Sequence, residues 1–259
     1  MQLLRAGTIL LTAGVCSLLA AEYDGTQQRT FTLSAADRRL LVSNINGEIK
    51  VSAAPGNEIR ITAHEHWTAP DDKELAHGRS DVQVVMEQTG NSVSVTLDGP
   101  FRNPDRHNWD EHHEYHFRFD FDIAVPPDVE LKLKSVNGRV TAEGTAAPAA
   151  VRSVNGPIRV SFARNPGQPC SFETVNGSID VTFQPDLNAA LKLSTMHGDA
   201  YTDFDVEPLP TEITADSSGN GKRFRIGGAR RLRVGTGGVE HSFRTLNGTI
   251  KIRKGDKGK

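Results

Sequence analysis

Cysteine is nearly absent: the 259 residues contain only Cys16 and Cys170, so no disulfide framework can supply the stability of the fold. Tryptophan and methionine are also scarce, with two and three copies, and aromatic residues make up 6% of the chain. That scarcity removes the interleaving of bases with aromatics on which single-stranded nucleic acid stacks. No long stretch places apolar residues at the spacing of an amphipathic helix, which excludes helical bundles and alternating strand–helix folds. The formal net charge is only -2.

The one extended apolar stretch comes first. Arg5 precedes a run from Ala6 to Ala20 that is broken only by small polar residues. It is short for a membrane span of about 20 residues, and with Ala20 and Ala21 behind it, it has the form of a signal peptide over residues 1–21. A lipoprotein reading through Cys16 is the alternative, but Val15 and Ala13 stand where a small residue and a leucine are wanted. The expectation is export to the periplasm or exterior, with no transmembrane anchor after cleavage and Cys170 as the remaining cysteine.

What is present points to β structure. There are 24 glycines and 13 prolines, and Val, Ile, Phe and Thr fall in short alternating runs. A short exposed helix is expected only near Asp71 to Arg79. Six segments share one pattern, with corners at Asn46-Gly47, Asn137-Gly138, Asn155-Gly156, Asn176-Gly177, His197-Gly198 and Asn247-Gly248. Two residues before each stands a small polar residue: Asn44, Ser135, Ser153, Thr174, Thr195 or Thr245. Apolar residues follow, as in Ile158 and Val160, or Ile250 and Ile252. The corners at 137, 155, 176 and 197 are 18, 21 and 21 residues apart, a regularity that means stacked units.

Asn and Gly tolerate positive φ, so each corner reads as a turn. A meander of two-residue hairpins is one solution. Pro157 opposes it, because the residue after the Gly of such a hairpin must donate an N–H that proline lacks. The fold class is therefore all-β, a β-solenoid or β-helix-like stack whose inward Ser and Thr hydrogen-bond along the stack, with a β-sandwich of hairpins as the alternative. Residues 22–130 form its N-terminal β region with a His-rich insert, and 131–259 its C-terminal repeat region. The sequons at Asn176 and Asn247 are explained by the repeat.

These residues resemble the DUF4097 family of β-strand-repeat proteins, to which the label adhesin is attached. The resemblance runs through Asn46-Gly47, Val125-Pro126-Pro127, the Val-Asn-Gly units, and Gly235-Thr236-Gly237-Gly238 before Leu246-Asn247-Gly248-Thr249-Ile250. It implies a β-repeat architecture over nearly all of the chain after residue 21, and no particular reaction. His197 in place of Asn is one departure, acceptable because His visits the left-handed region more readily than most residues. The irregular segment from Asp203 to Phe243 is the other, and implies a long loop or a changed coil.

Candidate chemistry is sparse. His107, His112, Glu114 and His116 lie in a polar segment that runs into the alternating strand Phe117, Phe119, Phe121, Ile123. By parity His112, Glu114 and His116 share the solvent face, about 7 Å apart in steps of two, where imidazole and carboxylate could hold zinc or a similar metal. His64 and His66 repeat that spacing. His113-Glu114-Tyr115-His116 fails the zinc-protease pattern on spacing, Ser217 and Ser218 lack a nucleophile elbow, and Gly235 to Gly238 lack a phosphate-loop lysine. No enzyme and no cofactor is expected.

Charge is uneven along the chain. From Lys222 to Lys259 there are 12 basic residues against Glu240 and Asp256, a net of +10. Arg223, Arg225, Arg231 and Arg233 in that region are candidates for contacting an anionic partner. The function expected is a non-catalytic exported envelope protein, adhesin-like, scaffolding or surface-sensing, whose partner is an envelope protein or an anionic envelope surface and not nucleic acid. A periplasmic metal-binding protein using residues 107–116 is the alternative.

Overall fold

The computed structural model describes residues 20–34, 37–102, 114–210, 213–216, 223–226 and 230–256, with the backbone alone at 213–216 and 223–226. Alternation decides the architecture. Arg39–Asn46 buries Leu40, Val42 and Asn44, and Glu130–Asn137 buries Leu131, Leu133 and Ser135, so each strand offers one face to a core. The strands assemble into a ten-stranded and a nine-stranded sheet, both mixed, beside a separate hairpin of Ile213–Asp216 and Arg223–Ile226. Neither large sheet closes into a barrel.

Six strands reach the corners in the ten-stranded sheet. They lie parallel in the spatial order Arg39–Asn46, Glu130–Asn137, Ala149–Asn155, Ser171–Asn176, Glu240–Asn247, Ala189–His197. The strands leaving the corners keep that order in the nine-stranded sheet: Ile49–Ala53, Val140–Thr145, Ile158–Phe162, Ile179–Phe183, Ile250–Lys254, Ala200–Thr202. Each corner thus carries the chain from one sheet to the other. The two strands it joins do not pair, so these corners are not hairpin turns.

The spatial order departs from chain order at one place. With each corner and the two strands it joins counted as one coil, the coil at Asn247 sits between those at Asn176 and His197, so the 21 residues from 176 to 197 are not one step along the sheets. The cause lies in the irregular segment after Asp203. Arg230–Val234 pairs antiparallel with the far side of Ala189–Leu193. The chain then reverses through Gly235, Gly237 and Gly238, all at positive φ, while Thr236 donates its N–H and hydroxyl to Asn188 Oδ1 at 2.9 and 3.0 Å. It re-enters on the near side as Glu240–Asn247.

One core fills the space between the sheets. Phe162 and Phe183 stack along one sheet at 5.0 Å between ring centroids, Phe172 and Phe243 along the other at 5.2 Å, and edge contacts from Phe162 to Phe172 and Phe183 to Phe243 join the two. Beyond the first coil the nine-stranded sheet continues through His116–Val125, Glu58–Ala69 and Ala21–Thr32. The expected helix spans Asp72–Asp81; Asp71 caps it by accepting from the Glu74 N–H at 2.8 Å. Buried Gly78 lets it approach the ring of Tyr115, where a Cβ would stand 2.6 Å from Cγ.

Candidate binding edge

The stacked corners form one continuous edge, and its chemistry follows from their register. Each corner Asn after Asn46 donates its side-chain amide to the one before it in the stack: Asn137 to Asn46 at 3.0 Å, Asn155 to Asn137 at 2.9 Å, Asn176 to Asn155 at 2.9 Å and Asn247 to Asn176 at 2.7 Å. The backbone repeats the pattern. The N–H groups of Gly47, Gly138, Gly156, Gly177 and Gly248 donate to the carbonyls of Asn137, Asn155, Asn176, Asn247 and His197.

Glycine is required here by close approach. A Cβ on Gly138 would lie 1.8 Å from the carbonyl oxygen of Gly47, on Gly156 2.0 Å from that of Gly138, and on Gly177 2.2 Å from that of Gly156. Positive φ is a lesser factor, since it occurs at Gly47, Gly198 and Gly248 but not at those three. The corner Asn residues and His197 also avoid positive φ, which among the described non-glycine residues belongs to Asp37 alone. The left-handed tolerance expected of Asn and His is therefore not what selects them: the Asn amide is used as a rung, and His197 stands at the end of the ladder. Pro157 fits because the residue after each Gly serves as an acceptor; its carbonyl receives the Val140 N–H at 3.0 Å.

Inward hydroxyls bond along the stack as expected. Thr174, Thr245 and Thr195 donate to the carbonyls of Gly156, Gly177 and Gly248 at 3.1, 3.1 and 3.2 Å. Ser153 reaches that of Gly138 only at 3.5 Å, and the buried Ser135 hydroxyl has no partner.

The residue before five of the six corners is the feature that sequence reading missed; Ile45, before Asn46, packs against the core. Val136, Val154, Val175 and Leu246 are 37–39% exposed and Met196 is 71% exposed, all in register along the edge. Among the described residues only Leu41 and Tyr201 are other exposed large hydrophobics. Parity carried the signal: a residue one beyond an inward Ser or Thr must point outward. On the other flank of the Asn row, the glycines floor a shallow groove beside Arg118 and Arg139.

The other candidate residues fall elsewhere. His107 and His112 lie outside the described residues, as do Ser217 and Ser218. Glu114 and His116 are exposed, and Phe117, Phe119, Phe121 and Ile123 are buried on the opposite face. On the same outer face His66 Nδ1 meets Asp24 at 2.7 Å and His64 Nε2 meets Asp122 at 3.5 Å. Among the described residues no three His, Cys, Asp or Glu side chains come together as a metal site. Of the candidate arginines, Arg231 pairs with Glu240 at 2.8 Å and Arg233 with Glu207; for Arg223 and Arg225 only the backbone is described.

One buried polar pair lies in the core behind the edge. His241 stacks on Phe183 at 5.2 Å, and its Nδ1 accepts the Cys170 N–H at 3.2 Å. Burial pushes the imidazole down to about 4 and the Cys170 thiol up to about 11.

Among the described residues no helix is long and apolar enough to cross a membrane. No family model matches the chain, and no curated protein matches it in sequence. Its structure is similar to that of a putative cell adhesion protein from Clostridium sporogenes, at 10% identity and a TM-score of 0.52, covering 89% of this chain and 100% of the other. A putative adhesin from Bacteroides fragilis matches at 11% identity and a TM-score of 0.32, over 88% and 97% of the two chains. The chain shares the fold of the Clostridium protein over most of its length.

Proposed function

We propose that this chain is a non-catalytic, exported envelope protein of the DUF4097 kind, a β-solenoid variant that works as an adhesin-like scaffold by presenting its corner edge. The observation that carries the proposal is the register of the six corners. It sets five exposed apolar side chains in one row beside the Asn ladder, and the core does not require those side chains to be apolar. Evenly repeated contacts of this kind suit an extended or laminar partner in the envelope, and the resemblance to adhesin-labelled proteins agrees with that use. Export rests on the signal-like residues 1–21.

The test is sedimentation of the purified chain, lacking residues 1–21, with isolated envelope material. Wild-type protein is expected in the pellet, and Val154→Asp with Val175→Asp is expected to release it by about tenfold. Absence of wild-type binding, or equal binding by a folded double variant, overturns the proposal.

A further inference from the structure

We propose that the corner edge docks on an anionic phospholipid surface. This deepens the reading above and rests on it, because it names the partner of the same edge. The apolar row alone would not choose a partner; the charges beside it do.

Each corner band runs from three residues before the Asn to four after it. In the four middle coils, at Asn137, Asn155, Asn176 and Asn247, these bands contain Lys134, Arg139, Arg152, Arg159, Arg244 and Lys251. Against these six stand Glu173 and Asp180, giving a net of +4 in a chain whose total is -2. Both carboxylates are already engaged, Glu173 with Arg152 at 2.6 Å and Asp180 with Arg253 at 2.7 Å. The six cations are exposed on either side of the Val136, Val154, Val175, Leu246 row.

A row of partly exposed aliphatic side chains bordered by cations is what an anionic bilayer accepts: the side chains pass below the headgroups and the cations meet phosphates. A second copy of the chain fits less well, since pairing two such edges would set +4 against +4. Arg231 and Arg233 lie outside these bands and pair with Glu240 and Glu207.

The experiment is co-sedimentation of the chain lacking residues 1–21 with vesicles of phosphatidylcholine alone, or of phosphatidylcholine with phosphatidylglycerol. Binding is expected on the anionic vesicles and about tenfold weaker on the neutral ones or in high salt. Val154→Asp with Val175→Asp, and separately Lys134→Glu with Arg244→Glu, are each expected to weaken it about tenfold, while Arg60→Glu on the distant strand has no effect. Val154→Thr with Val175→Thr keeps the β-branched shape and covers the case in which the Asp variants unfold; it too is expected to weaken binding. Binding that follows salt but ignores both valine pairs overturns the inference, because the charges would then hold the vesicle without the apolar row. Sedimentation with envelope material but not with anionic vesicles overturns it while leaving the scaffold role standing. Failure with both removes the two together.

Discussion

The carbonyl oxygen of Gly47 stands where a Cβ on Gly138 would be only 1.8 Å away, so the first two coils of the repeat touch through an atom that glycine omits. A side chain at Gly138 must push the coils apart and break the Gly47–Asn137 backbone bond of 2.9 Å together with the neighbouring Asn rung. Gly138→Ala should therefore cost about 3 kcal/mol or more, in the range reserved for overpacked cores. Gly167→Ala, where nothing lies within 4 Å, should stay within about 0.5 kcal/mol. Urea unfolding of the two variants measures both, and equal effects would contradict the close-approach account.

Serine at the inward hydroxyl position performs less well than threonine. Thr174 and Thr245 reach their glycine carbonyls at 3.1 Å, Ser153 only at 3.5 Å, and Ser135 has none. The threonine methyl restricts χ1 and holds the hydroxyl toward the stack. Ser135→Thr is expected to stabilise the protein by about 1 kcal/mol, the net worth of one added hydrogen bond. Thermal denaturation decides it, and a lower midpoint for the variant would show that the methyl does not fit.

The pH dependence of stability should carry the mark of His241. Its folded pKa, about 4, lies below the ordinary 6.5 because burial disfavours the imidazolium. The unfolded chain therefore binds the extra proton first, so the contribution is fully present above pH 6.5 and is lost as pH falls toward 4. The loss amounts to roughly 3 kcal/mol. His241→Gln should flatten the decline in urea midpoint between pH 7 and pH 4 relative to wild type; parallel curves would count against a buried neutral imidazole.

Cys170 should behave as an inert core residue. It is 3% exposed, and burial raises its thiol to about 11. In the chain without residues 1–21, an alkylating reagent at pH 8 is expected to label nothing until denaturant is added, because the thiolate is both rare and covered. Rapid labelling of native protein would mean that the core at Ala149 and His241 opens readily.

Much of this was legible from local pattern. Alternation marked the strands, Asp71 and the good helix formers after it marked the helix, and Pro157 argued correctly against hairpins, because only its carbonyl is needed. The reason for the glycines was not legible. Positive φ is a property of one residue, whereas the approach of Gly138 to Gly47 depends on coils 91 residues apart in sequence. The order of the coils was hidden for a similar reason. Equal spacing suggested that 197 follows 176, but the antiparallel strand Arg230–Val234 and the turn at Gly235 to Gly238 bring Glu240–Asn247 in between. The exposed row at Val136, Val154 and Val175 was present in the parity of each unit, yet its meaning as a surface appears only when the units are set side by side.

The stacked edge is tested most directly by the neighbours of Asn176. Adjacent coils are separated by about 4.8 Å, and coils two apart by about twice that. In the chain lacking residues 1–21, Asn176→Cys with Asn247→Cys should be joined by a short bifunctional thiol reagent under native conditions, and Asn176→Cys with His197→Cys should not. Mass spectrometry of the crosslinked peptides reads the outcome without interference from buried Cys170. Crosslinking of 176 to 197 in preference to 247 would contradict the order of the stack, and with it the continuous edge on which the functional account depends.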